Sequence, residues 1–401
     1  MTTLRREGPN AVGHFTVLAP PYNRTMSDVA QRALLGGLTA SSFLRFYWHK
    51  RALLVRHAIA GFRGLLDASE LFALAARDDV ESRLIVREGS RWSVAAGPFR
   101  RSHLASTPER NWTLLVHGVN LHVAAADALL RRFAFLSYVR LDDVMVSYAA
   151  PGGGVGPHVD SYDVFLLQGG GRRRWRIGAQ RDVSLKPSLP LKILARFEPD
   201  KQHILEAGDM LYLPPAYAHD GVAIDACTTC SIGFRAPEAQ ELIVAFLDWL
   251  RDRIAAEGRD ADPKPGSPRE PARIEAAMQD RCAAILARIR WDRATVARFL
   301  GCYLTEPKPH VYFHPPRRPL PRKAFAAEAA RRGLHLDLRS QLLYDNRNAY
   351  LNGEVFAWPR GGAAMVRQLA NERRIDGADA KRVASAASVY SWYCDGFIHL
   401  A

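Results

Sequence analysis

The stretch Arg172-Arg-Arg-Trp-Arg-Ile177 constrains this chain more than any other, because it puts four arginines into what otherwise reads as a buried strand. Side chains alternate along an extended segment, so Arg173, Trp175 and Ile177 share one face and Arg172, Arg174 and Arg176 the other. With Trp175 facing inward, Arg173 carries a guanidinium into an apolar enclosure. That is costly unless an anion meets it in a fork geometry, as a dicarboxylate would. Just upstream, Val164 to Leu167 reads as a strand and Gly169-Gly-Gly171 as a tight turn. Before them, Gly152-Gly-Gly-Val-Gly-Pro-His158-Val-Asp160 enters the same region, and alternation lets His158 and Asp160 look the same way.

A second histidine follows in Glu206-Ala-Gly208-Asp209-Met-Leu-Tyr-Leu-Pro214-Pro215-Ala-Tyr-Ala-His219: a Gly-Asp turn, a short apolar strand and a rigid Pro-Pro corner. Two histidines and one carboxylate leave three adjacent positions open on a metal. This is the facial triad of non-haem Fe(II) oxygenases, whose open sites hold a chelating co-substrate and dioxygen. A His-x-Asp tripeptide alone is a common accident, and a hydrogen-bonded strand histidine is its bland alternative. Its company with His219 and an inward Arg173 is what lifts it. Gly152-Gly-Gly154 is not a phosphate loop, since no Gly-Lys-Ser/Thr follows and it opens onto a strand; the glycines let the backbone fold close to the metal.

Asp142-Asp-Val-Met-Val-Ser147, Gly152 to Asp160, Tyr162-Asp-Val-Phe165, Arg172 to Arg176, Tyr212-Leu-Pro-Pro215 and Ser231-Ile-Gly-Phe-Arg-Ala-Pro237 together resemble the JmjC-related cupin family of ribosomal oxygenases. Among these, the bacterial enzymes that hydroxylate an arginine of a large-subunit ribosomal protein are the most similar. The resemblance implies a mainly β fold with helices, a double-stranded β-helix. It implies His158, Asp160 and His219 as Fe(II) ligands, 2-oxoglutarate and dioxygen as co-substrates, and Arg173 with Ser147 on the distal carboxylate. It implies the β-carbon of an arginine in ribosomal protein sixteen as the target, with Asp142 and Ser231 receiving the cation. Asp142 and Ser147 differ in parity, so both face the cavity only if the strand kinks or Asp142 sits at its mouth. Ala216 stands where relatives commonly carry glycine.

The chain in order starts with residues 1–27, read as a disordered leader with Met26 an alternative start. Residues 28–236 form the catalytic domain. In it a serine cap at Ser41 precedes a short helix over Phe43–Trp48, and Leu53–His57 is a strand. An Asp67-x-x-Glu70 capping box opens a helix through Ala76. Strands follow at Arg83–Arg87, Trp92–Val94 and Trp112–Val116, then a helix over Leu121–Phe135 and a strand over Asp143–Tyr148. The barrel closes near Phe234. Residues 237–305 form a helical region with one apolar face of Leu242, Ile243, Phe246, Leu250 and Ile254. After a linker with Pro263, Pro265, Pro268 and Pro271 comes a second face of Ile274, Met278, Ile285 and Ile289. Packing within one subunit is the plain reading of both stripes; the resemblance implies homodimerisation. Residues 306–401 run helix (Arg322–Arg332), strand (Gln341–Tyr344), strand (Ala349–Trp358) and two helices (Gly362–Arg373, Ala378–Tyr393), like a winged helix.

Lys and Arg number 55 against 41 Asp and Glu, a net +14, which suits an rRNA-associated partner. Arginine-rich, alanine-rich composition from a GC-rich genome would give the same excess. Five scattered cysteines make no disulfide framework, so a reducing cytoplasm is expected. Cys227-Thr-Thr-Cys230 on a strand puts its thiols on opposite faces, which excludes a redox or zinc pair. No apolar run reaches membrane-spanning length, and no membrane partner is expected. Three other functions fit parts of the pattern. A ribosomal histidine hydroxylase shares the fold. A methyl-lysine demethylase is disfavoured by the lack of a chromatin-reader module. A basic winged-helix regulator with a sensory cupin has no reason to keep the triad and Arg173, and its supposed recognition helix Gly362–Arg373 is mostly Ala, Met, Val and Leu.

Overall fold

The computed structural model describes residues 28–100, 102–103, 106–235, 237–255 and 270–401. The 1–27 leader with its Met26 start and the linker prolines 263, 265 and 268 lie outside the described residues. Two helices, α1 (Asp28–Leu34) and α2 (Ala40–Phe46), lead into β1 (Leu53–Val55). The cap of α2 is Thr39, not Ser41: Thr39 is extended and its Oγ1 accepts the Ser42 N–H at 3.0 Å, so Ser41 already lies in the first turn. The capping box of α3 (Ala68–Ala75) is present in both directions. Asp67 accepts from the Glu70 N–H at 2.8 Å, and Glu70 accepts from the Asp67 N–H at 2.9 Å.

Strands β2 (Ser82–Glu88), β3 (Arg91–Ala96) and β4 (Trp112–Val116) follow, then α4 (Ala124–Arg131) and β5 (Leu141–Ala149). The Leu121–Phe135 helix is shorter than its periodicity predicts, because a 3-10 turn at Val119–Leu121 and further turns beyond Arg131 flank it. Next come β6 (Val164–Gln168), β7 (Arg173–Gly178), β8 (Lys201–Leu205), β9 (Met210–Leu213), β10 (Ala218–Ala223) and β11 (Cys227–Phe234). They form two facing sheets. One has the order β1-β9-β6-β11-β5-β4-β2-β3 and the other β10-β7-β8. The glycines after β6 therefore carry the chain from one sheet to the other.

The larger sheet packs its outer face on the N-terminal helices, burying Phe43, Phe133, Phe165, Tyr212 and Phe234 as one aromatic cluster. Each fully buried side chain of this kind contributes about 1.5–3 kcal/mol. Its inner face meets the smaller sheet through Val164, Leu166, Leu211 and Leu213 against Trp175, Ile177 and Leu205. This is the double-stranded barrel. Cys230 belongs to the outer core and Cys227 to a small cluster with Ala149 and Ala223 on the other face; burial pushes the Cys230 thiol up to about 12.

Beyond the barrel lie α5 (Ala239–Arg251), α6 (Ala276–Leu286) and α7 (Arg293–Thr305). Ile254 falls past the end of α5, where a closing turn bonds Arg253 and Ile254 back to Leu250; Ile274 and Ile289 lie outside α6. Helix α7 is missing from the sequence reading although Asp292 caps it, accepting the Thr295 N–H at 2.8 Å. The C-terminal unit comprises α8 (Arg322–Arg332), β12 (Leu334–Leu336), β13 (Leu342–Tyr344), β14 (Asn348–Leu351), β15 (Glu354–Ala357), α9 (Ala363–Glu372), β16 (Arg374–Ile375), α10 (Gly377–Ala380), α11 (Ala387–Cys394) and β17 (Ile398–Leu400). The single strand expected over Ala349–Trp358 is a hairpin, since Asn352 and Gly353 both take positive φ (51° and 89°), as a two-residue turn demands. The helix expected over Ala378–Tyr393 is two helices, because the turn between them tucks Val383 and Ala384 into the core. Asp127 of α4, itself buried, joins this unit to the barrel by pairing with Arg373 at 3.2 Å.

Candidate metal and co-substrate site

His158 and His219 are far apart in sequence and are locked together by their backbones. The His158 N–H donates to the His219 carbonyl at 3.0 Å and the His219 N–H to the His158 carbonyl at 2.9 Å, an isolated antiparallel bridge at the end of β10. The rings stand 4.1 Å apart between centroids. Asp160 is fastened to the same corner, its carbonyl accepting the Ala216 N–H at 2.8 Å. Its carboxylate oxygens lie 3.9 Å from His158 Nε2 and 3.6 Å from His219 Nε2. One donor atom from each of the three residues falls within 4.8 Å of the others, the only such cluster among the described residues.

Both rings are oriented for coordination. His158 Nδ1 meets the Gly156 carbonyl and His219 Nδ1 the Tyr217 carbonyl, each at 2.9 Å, which assigns the proton to Nδ1 and turns an Nε2 lone pair toward the cluster. Burial, then the neighbouring His158, holds the His219 imidazole well below its ordinary range and so neutral; burial raises Asp160, with His158 opposing. Two imidazoles and one carboxylate gathered within 4.8 Å fit Fe(II). Behind them the Trp175 ring lies tilted against His219 with centroids 5.9 Å apart, and Gly221 must be glycine because a Cβ there would run into the Trp175 ring.

Arg173 is 5% exposed and shares its face with Trp175 and Ile177, all buried, while Arg174 and Arg176 alternate outward. Its Nε and Nη2, the two donors of one guanidinium edge, have no hydrogen-bond partner among the described residues. A buried fork with no acceptor fits a carboxylate. Ser147 is buried on the inner face of β5 and donates to the Thr229 carbonyl at a long 3.4 Å. Ser231 is 8% exposed on β11, at the same parity as Thr229.

The strand kinks between Asp142 and Ser147. The register of β5 and β11 shifts between Ile232 and Phe234, so Leu141 and Val144 both face the core while Asp142 and Asp143 bulge out between them opposite Gly233. Asp142 is already met by cations, Arg235 at 3.4 Å and Lys308 at 3.2 Å. Asp143 is held by the Gly118 N–H at 2.9 Å, and burial, then Asp142, raises its carboxyl. The sequence reading passes over Asp143 and Tyr162. Burial, then Asp160, Asp143 and Asp142, pushes the Tyr162 phenol upward. The doubled aspartate at the head of a strand was the visible signal.

The JmjC domain family matches residues 128–242 and the ROXA-like winged-helix family residues 288–399. The chain is 35% identical over 281 residues to the ribosomal protein uL16 3-hydroxylase of Escherichia coli K12, covering 69% of this chain and 74% of that protein. It is 37% identical over 210 residues to a probable ribosomal oxygenase of Haemophilus influenzae, covering 51% and 52%. The solved structure of the ribosomal oxygenase YcfD from E. coli in complex with cobalt and 2-oxoglutarate superposes with a TM-score of 0.77 at 29% identity. That match covers 90% of this chain and 98% of the other.

Proposed function

The chain belongs to the JmjC-domain ribosomal oxygenases that carry a ROXA-like winged helix, and from that membership we propose that it hydroxylates an arginine side chain of large-subunit ribosomal protein uL16, using Fe(II), 2-oxoglutarate and dioxygen. The observation that carries this reading is the buried, partnerless edge of Arg173 inside the barrel whose end bears the His158, Asp160 and His219 cluster. When bound, Fe(II) with 2-oxoglutarate and dioxygen supplies the oxidation that inserts oxygen into a C–H bond, leaving succinate and carbon dioxide. His158, His219 and Asp160 hold the metal, with the Nδ1 contacts fixing both rings. Arg173 grips the distal carboxylate, with Ser147 beside it. Leu166, Leu211, Leu213 and Trp175 exclude water around them. At the mouth, the carboxylates of Asp142 and Asp143, with Ser231 and Tyr162, suit a guanidinium.

The exposed apolar faces of α5 and α6, with Ile243 and Leu247 each 54% and Leu286 64% exposed, support a homodimer. The +14 charge supports rRNA proximity, and a ribosomal substrate supports a cytoplasmic location; no described helix is long and apolar enough to cross a membrane. Mass spectrometry of uL16 after incubation with purified protein, Fe(II) and 2-oxoglutarate tests the assignment. A +16 Da shift on one arginine, absent with Asp160→Ala, is expected. A shift on a histidine of another ribosomal protein overturns the arginine assignment, and unimpaired turnover by Asp160→Ala overturns the triad.

A further inference from the structure

A second buried polar group lies at the Arg173 end of the barrel with nothing to bond. Thr113 is on β4 between Trp112 and Leu114, both of which face the outer core, so Thr113 points through the opposite face into the barrel. It is fully buried, and its Oγ1 has no hydrogen-bond partner among the described residues. In register it stands beside Ala149, which packs with Ala223 and Cys227. Ala223 in turn is the cross-strand neighbour of Arg173. Neighbour by neighbour, the strand registers thus link Thr113 to Arg173 through Ala149 and Ala223. Of the neighbouring hydroxyls, Thr229 Oγ1 donates to Gln168 Oε1 at 3.1 Å, while Ser147 reaches the Thr229 carbonyl only at a long 3.4 Å. Valine has the same shape and would fill this site without an orphaned hydroxyl.

We propose that Thr113 is a second anchor of the co-substrate, donating its hydroxyl to the distal carboxylate that Arg173 grips from the other side. The proposal rests on the 2-oxoglutarate reading above. A carboxylate carries about four acceptor sites, so one bidentate guanidinium leaves room for a hydroxyl donor. Thr113 thus acts on co-substrate affinity while the metal ligands stay untouched.

The test uses the full chain loaded with Mn(II), which is redox-silent, and titrates 2-oxoglutarate by calorimetry alongside thermal melts of the co-substrate-free protein. Thr113→Val should weaken 2-oxoglutarate binding roughly tenfold or more, since the lost bond is to a charged group. Mn(II) affinity should not change, and the melting temperature without co-substrate should stay level or rise, because an orphaned hydroxyl has been removed. Thr113→Ser, which keeps the hydroxyl, should bind within about twofold of wild type. Equal binding by Thr113→Val and wild type overturns the inference alone. So does a Thr113→Ser variant as weak as Thr113→Val, which would mean that packing and not the hydroxyl matters. A wild-type protein that binds no 2-oxoglutarate overturns the co-substrate reading itself.

Discussion

Arg173→Ala separates co-substrate binding from metal binding. The guanidinium is 5% exposed and two of its donors have no hydrogen-bond partner among the described residues, so a bound carboxylate would form a fully buried bidentate pair. Deleting one partner of such a pair costs about 3–5 kcal/mol, or more than a hundredfold in affinity. Differential scanning fluorimetry reads this directly. At 2-oxoglutarate a hundredfold above its Kd, the metal-loaded wild type gains about 2.7 kcal/mol, whereas a variant weakened a hundredfold gains about 0.4. Without 2-oxoglutarate the variant should melt no lower than wild type, since it loses a buried charge that has no acceptor on that edge. Metal content should stay equal, because no ligand changes. Arg173→Lys should rescue in part, offering a point charge in place of a fork. Arg174→Ala, on the opposite face of β7, should keep the full 2-oxoglutarate shift. If Arg174→Ala loses that shift and Arg173→Ala keeps it, the co-substrate is not held where the barrel interior places the fork, and the reasoning fails.

Light scattering should give about twice 44.7 kDa, and Leu247→Glu, on the exposed face of α5, should give the single mass; a wild-type monomer at micromolar concentration returns that face to some other partner. Ala216 sits at φ 59° in the loop that fastens Asp160, a conformation costing an L-residue about 1–2 kcal/mol, so Ala216→Gly should stabilise by about 0.5–1 kcal/mol after glycine's entropy. A lower melting temperature for Ala216→Gly refutes this. His122 is pushed down to about 4 by burial and then by Arg77, so the unfolded chain takes up the proton first and stability falls between pH about 6.5 and about 4. Discounted for partial exposure, this amounts to about 1–2 kcal/mol. Urea denaturation at pH 7 and 4.5 should show a drop smaller by that amount in His122→Gln, and equal drops in both proteins count against it.

Much of the barrel was legible because its signals are local. The period of two along β7 alone puts Arg173, Trp175 and Ile177 on one face, and the same period sends Cys227 and Cys230 to opposite sides of β11. The Asp67 capping box needs only four residues to define it. Signals of equal locality went unread where a longer pattern overrode them: Asn352-Gly353, hidden inside an apolar run, and Asp292 before α7.

What only the tertiary structure decided concerns residues brought side by side by register. The backbone bridge between His158 and His219, the bulge that turns Asp142 and Asp143 together, and the line from Thr113 through Ala149 and Ala223 to Arg173 each depend on how separate strands align. Register is chosen by the summed burial of both strands, and a slip of one residue reverses every side chain. No single segment contains that sum. The sequence by itself therefore determined which residue types the barrel interior holds, and the packing of two sheets determined which of them meet.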